Sequence, residues 1–131
     1  MTIQITCLFI GVLIPLIWSA AALPYRQRQL GRVDFEQPRL QAHQLTGRGA
    51  AAWGAQLNAW EALAMFTVAN ICGFFAGLEP QGAWSLLCVL WVVARLVHGF
   101  CYLYFKVALR VASFAISTLS AFGIMVLALL V

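Results

Sequence analysis

The sequence predicts an all-α integral membrane protein, an up-down bundle of four transmembrane helices forming a single domain over residues 1–131. Three observations lead there. Hydrophobic residues make up 63% of the chain and the mean hydropathy is +0.90. Charged residues are only 9%, with 8 Lys or Arg and 4 Asp or Glu, against about 25% in soluble domains. A core built from so short a chain cannot hide that much apolar surface from water. Finally, the apolar residues gather into four stretches, each near the roughly 20 residues a spanning helix needs.

The same counts exclude other classes. A disordered chain would be poor in apolar residues. A secreted disulfide scaffold is excluded because Cys7, Cys72, Cys88 and Cys101 all lie inside apolar stretches and none form a CxxC pair. Barrel strands would alternate over about 10 residues, and these stretches are longer and uniformly apolar.

The first span, 3–23, carries no charge. Its Ala20-Ala21-Ala22 resembles a signal cleavage site, but no Lys or Arg precedes it and its length suits a retained helix. A long loop, 24–49, follows, holding Arg26, Arg28, Arg32, Arg39 and Arg48 against Asp34 and Glu36. The second span, 50–78, contains Glu61. Glu79-Pro80-Gln81-Gly82 makes a tight turn, punctuated by Pro and Gly. The third span, 83–105, contains Arg95, and a few residues near Lys106 lead into the fourth, 107–131, with Arg110 near its start. Connections this short force antiparallel neighbours. No internal repeat is visible.

Basic residues concentrate in the first and third connections. The positive-inside rule therefore places those in the cytoplasm and both termini on the opposite side. The net charge of +4 is a topology signal rather than a nucleic-acid surface, since aromatic residues are not interleaved with the basic ones.

A charged side chain at a helix centre costs about 2.5–3.5 kcal/mol to insert, so the polar residues inside the spans are the candidates for function. Asn58 and Glu61 are three apart and share a helical side. Arg95, His98 and Tyr102 fall at i, i+3 and i+7, one stripe on the third helix. One reading is structural, with Glu61 and Arg95 as an ion pair that holds helices together. The other is a polar cavity for a charged ligand. Two His without a carboxylate cluster fall short of a metal-ligand set. Tyr104 points elsewhere, as an interfacial belt residue. Arg110 either anchors the fourth helix at the interface or presents a cation to an anionic sulfur, whose thiolate form it would favour.

Taken together, Asn58-x-x-Glu61 followed by Phe66, then Arg95-x-x-His98-x-x-x-Tyr102 and Arg110, on four helices with a long basic first loop, resemble the MAPEG family, the membrane-associated proteins in eicosanoid and glutathione metabolism. The likeness covers nearly the whole chain and is nearest to the small bacterial members, which implies a bacterial inner membrane. It implies a homotrimer that binds glutathione as co-substrate between protomers near the cytoplasmic face. Asn58 and Glu61 would hold the tripeptide's polar ends, Arg95, His98 and Tyr102 would line the pocket, and Arg110 would stabilise the thiolate. Arg26 or Arg28 would be the basic residue that closes the first helix. The activity implied is that of a glutathione transferase or peroxidase acting on a lipophilic electrophile or hydroperoxide drawn from the lipid. This chain departs from the pattern in having Gly54, Ala55, Gln56 and Leu57, none of them basic, before Asn58, and Val111 rather than Ser after Arg110. The competing expectation is a non-enzymatic membrane protein held by a Glu61–Arg95 pair. A small transporter is a weaker third, lacking paired repeats.

Overall fold

The computed structural model describes all 131 residues and is entirely helical outside its turns. Its elements are α1 (Thr2–Leu30), α2 (Pro38–Ala42), α3 (Gly47–Phe75), α4 (Ala83–Leu103) and α5 (Val107–Leu129). Three of them, α1, α4 and α5, are long and apolar enough to cross a membrane. Helix α3 is not among these, although its 29 residues would reach roughly 44 Å at 1.5 Å per residue. The expected four apolar spans are thus three, and the physical reason is that Arg48, Gln56, Asn58, Glu61 and Asn70 interrupt α3.

Element ends differ from the sequence expectation where capping decided them. The first helix does not stop at residue 23 but continues through Pro24 to Leu30, where Gly31 at φ 78° closes it with its N–H bonded to the Gln27 carbonyl. Residues 24–30 therefore belong to the helix rather than to the loop. The third ends at Leu103, and Phe105, at φ 57°, turns the chain into α5. The short α2 was not expected. It starts with Pro38 at its first position, where a missing N–H costs nothing.

Helix α1 packs chiefly on α3, and α4 on α5; α3 also meets α4 and α5, and α1 meets α4. The core between them holds Ile14, Trp18, Phe66, Cys88, Trp91 and Ile124. Phe66 stacks on Trp91 with ring centroids 4.0 Å apart. Along α3 the inward positions are Ala55, Ala59, Ala62 and Ala69, small residues that let the neighbouring backbones come close. Gly99 of α4 serves the same end, since a Cβ there would overlap the Trp18 ring.

Of the polar groups buried at the Glu79–Gly82 end, Gln4 Oε1 is left without a partner, while Gln4 Nε2, Ser85 and Asn70 are paired within the chain. Gln4 Nε2 donates to the Pro80 carbonyl at 2.9 Å and to Ser85 Oγ at 3.0 Å. Asn70 Oδ1 accepts from Trp84 Nε1 at 3.0 Å and from Cys88 Sγ at 3.2 Å. At the opposite end the 31–46 connection is fixed to the helices. Gln29 of α1 accepts from the Thr46 N–H at 3.0 Å and donates to its carbonyl at 3.2 Å. Gln41 of α2 donates to the Arg32 carbonyl at 2.7 Å and accepts from the Asp34 N–H at 3.0 Å. The basic loop is thereby folded back over the ends of α1 and α3.

Candidate functional site

The stripe expected on the third helix is present on α4. Arg95 is 1% exposed, His98 is buried and Tyr102 half-buried. Arg95 Nη2 donates to Asn58 Oδ1 of α3 at 2.7 Å, a charge-assisted contact between the two helices. Its Nε and Nη1 have no hydrogen-bond partner in the chain. A guanidinium this deeply placed, with two nitrogens unpaired, is costly unless something anionic completes it.

Glu61 does not complete it. The expected Glu61–Arg95 ion pair is absent, and the one ion pair formed is Arg32–Asp34 at 3.9 Å. Successive positions on an α-helix are rotated by about 100°, so residues three apart differ by about 60°. That rotation carries Asn58 toward α4 while Glu61 stays on the exposed side of α3. The structural reading that rested on this pair loses its support.

One turn along α4, His98 Nδ1 lies 3.0 Å from the Arg110 backbone carbonyl. A carbonyl only accepts, so Nδ1 carries the proton and Nε2 of the neutral ring is an acceptor. Nε2 is buried without a partner. The Arg110 guanidinium lies over the Tyr102 ring at 4.6 Å, a cation–π contact that holds both side chains together at the α4–α5 turn. Tyr102 in turn packs on Gly54, where any Cβ would come within 2.9 Å of the ring. The glycine in the stretch before Asn58 is therefore explained by a close approach of α4 rather than by a lost basic contact.

Five of the expected residues, Asn58, Arg95, His98, Tyr102 and Arg110, thus form one linked group between α3, α4 and α5, with Glu61 at its open edge. Arg26 and Arg28 do not join them within one chain. Arg28 is exposed at the end of α1, whereas Arg26 is buried and its Nη1 donates to the Pro38 carbonyl at 2.9 Å. Arg48, ten residues before Asn58, sits over the Tyr104 ring at 4.9 Å and is not in the group. Ser113, the hydroxyl nearest Arg110, is turned back on its own helix, donating to the Leu109 carbonyl at 2.8 Å.

The largest cavity lies elsewhere, a space of about 680 Å³ between α1, the 31–46 connection and α3, with Arg26, Arg39, His43, Trp53 and Trp60 in its wall. Sequence reasoning missed it. Its wall is assembled from segments far apart in the chain, and only the fold-back of the loop joins them.

A family model described as the MAPEG family matches residues 3–130 of the 131. No curated protein and no solved structure matches the chain.

Proposed function

The chain belongs to the MAPEG family, and from that premise we propose that it is a membrane-bound glutathione transferase or peroxidase, working as a homotrimer of four-span protomers. The single observation that carries this reading is the linked group around Arg95. Its unpaired buried Nε and Nη1, the acceptor Nε2 of His98 and the cation of Arg110 match a ligand with two carboxylates, an ammonium and a thiol.

In this reading Arg95, held in place by Asn58, takes a carboxylate of glutathione, and Glu61 takes its ammonium. His98 and Tyr102 line the pocket, with Nε2 of His98 free to accept a proton-bearing group. Glutathione supplies the sulfur nucleophile. Arg110 lies at the membrane edge, where a water-soluble tripeptide arrives, and its charge favours the thiolate over the thiol. Holding the thiolate beside the lipid would supply orientation to a reaction with an apolar electrophile or hydroperoxide dissolved there.

Two features support the trimer. Glu61 is exposed on the outside of one chain, and an ionised carboxylate facing hydrocarbon costs several kcal/mol. A second copy laid on that side of α3 would cover it. Arg28, exposed at the end of α1, is free to reach such a site from the neighbouring copy, whereas Arg26 is held by Pro38. With α3 shielded in this way it serves as the fourth span. The basic connections then lie in the cytoplasm and both termini outside, in what the family likeness suggests is a bacterial inner membrane.

The test is ultraviolet difference spectroscopy on the purified protein in nanodiscs. Millimolar glutathione is expected to produce a thiolate absorbance at neutral pH, and Arg110→Ala to abolish it while the protein stays folded. No thiolate signal from the wild type at saturating glutathione would overturn the proposal.

A further inference from the structure

A separate pocket of about 280 Å³ opens between the start of α1 and the end of α3. Phe74, in its wall, lies about 20 Å beyond Glu61 along α3 at 1.5 Å per residue. The pocket is therefore at the opposite end of the bundle from the Arg95 group, and it stands independently of the glutathione reading. At about 100° per residue, Ile71 and Phe74 are also turned by about 80° and 140° round α3 from Glu61. They are thus off the side on which a second copy would cover that acid.

The wall is apolar, and Ile5, Ile71, Phe74 and Phe75 are exposed at its mouth. Gln4 and Asn70 bring amides into it. Asn70 is already engaged, its Nδ2 donating to the Phe66 carbonyl at 2.9 Å and its Oδ1 accepting from Trp84 and Cys88. Gln4 is not. It is 2% exposed, and its Nε2 donates to the Pro80 carbonyl and to Ser85 Oγ. A carbonyl only accepts, which fixes the orientation of the amide and leaves Oε1 as an acceptor. Oε1 has no partner in the chain. Neither Pro80 nor Ser85 lines the pocket, whereas Gln4 does. With its nitrogen turned to those two, the amide has its oxygen on the pocket side.

These features define the ligand. A buried acceptor without a donor is costly, so an O–H that reaches Oε1 is favoured. No ionisable side chain lines the pocket, and a charge placed there would have no partner, so the ligand is neutral. Phe74, Phe75 and Trp84 offer three aromatic side chains, the first two standing edge to face with centroids 5.6 Å apart. Such side chains pair well with a further ring. The volume is just under the range of about 300–1,000 Å³ usual for small-molecule sites, which suits one ring rather than a whole lipid. We propose that this pocket binds a neutral, lipid-soluble phenol, its hydroxyl donating to Gln4 Oε1 and its ring lying among Phe74, Phe75 and Trp84.

The experiment uses full-length protein in nanodiscs and reads quenching of tryptophan emission by 4-bromophenol, with Trp84 in the pocket wall. The comparison is 4-bromoanisole, the same ring with the hydroxyl methylated, at equal mole fraction in the lipid. Quenching by the phenol should saturate, at a concentration lower than that for the anisole by about 2- to 12-fold, the effect of one neutral hydrogen bond. Gln4→Leu should bring the phenol to the level of the anisole and leave the anisole unchanged. Ile71→Phe narrows the mouth, keeps the contacts of Gln4 and should weaken both probes several-fold. Val68→Phe, exposed on α3 outside the pocket, should weaken neither. Equal half-saturation by phenol and anisole in the wild type would overturn the proposal. Quenching that rises without saturating would also overturn it, leaving the groove to lipid or a neighbouring copy. So would equal effects of Ile71→Phe and Val68→Phe. Displacement of 4-bromophenol by octan-1-ol at lower concentration than by 4-butylphenol would overturn it as well, making the occupant an aliphatic alcohol.

Discussion

Replacing Asn58 by Ala tests whether the contact with Arg95 holds a buried charge or only adds packing. Arg95 is 1% exposed, and Asn58 Oδ1, at 2.7 Å, is the one side-chain acceptor it meets. With Nε and Nη1 already unpaired, the substitution leaves the guanidinium with no side-chain partner. A hydrogen bond to a charged group contributes about 1.5–3 kcal/mol, and leaving the donor buried costs more again. Removing one member of a buried ion pair costs about 3–5 kcal/mol, and Asn58, being neutral and half-buried, belongs below that range. The expected loss for Asn58→Ala is therefore about 2–3 kcal/mol. Adding Arg95→Met removes the stranded charge, so the double variant should be more stable than Asn58→Ala alone, with a coupling of at least about 1.5 kcal/mol. The assay is equilibrium unfolding in mixed micelles, run on the wild type, both single variants and the double. Ordinary polar contacts between membrane helices average only about 0.6 kcal/mol in such cycles. A coupling at or below that figure would refute the claim that Asn58 positions a buried charge.

Other expectations follow from the same geometry. Gly99→Ala forces a methyl group into the Trp18 ring and should destabilise the protein by about 1–3 kcal/mol, read as a fall in melting temperature; an unchanged melting curve would contradict the close packing of α1 on α4. Gly54→Ala presses on Tyr102 and so disturbs the ring beneath Arg110; it should raise the KM for glutathione several-fold with little loss of stability, and equal kinetics would separate Tyr102 from the site. The Asp34 carboxyl is held below the usual carboxylate range, first by the N–H groups of Gln37 and Glu36 and also by Arg32. A depressed folded value means the loop gains stability above the ordinary pKa of about 4 and loses it as pH falls through the folded one. Proteolysis within 31–46 should accelerate on acidification below that point, and Asp34→Asn should flatten the profile. A wild-type rate independent of pH there would refute it.

Much of this was legible in the sequence, for physical reasons that also mark its limits. Long apolar runs announce helices whatever they pack against, so all four long helices were foreseen. Their ends were foreseen less well. The first span was expected to end at residue 23, yet Gly31, with its left-handed φ of 78°, is the residue that stops α1. The stripe Arg95, His98 and Tyr102 was visible because helical spacing alone aligns it. The partner of Arg95 was not, because Asn58 and Glu61 share a side too broadly defined to say which one meets α4. The cavity beside Arg26 was invisible. Nothing local to Arg26, Arg39 or Trp53 brings them together, and the contacts that do, from Gln29 and Gln41, bridge residues 9 to 17 positions apart.

Helix α3 shows why these features belong to one design problem. Alone among the long helices it lacks a stretch apolar enough to count as a membrane span, so composition alone would leave it outside the membrane-spanning set. Its polar residues are not scattered. Asn58 and Gly54 face α4, Trp53, Gln56 and Trp60 face the loop cavity, and Ala55, Ala59 and Ala62 fill the core between. A helix with a polar site on each flank cannot also carry the uniform apolar surface of a lipid-facing span. The exposed side runs through Leu57, Ala64, Val68, Ile71 and Phe75, and Glu61 stands in it as the one acid. For α3 to sit in a bilayer, Glu61 has to be covered by protein. The shortfall in hydropathy that makes α3 look unlike a span thus has the same origin as the two sites, and it is the strongest physical reason for expecting a second copy of the chain against this helix.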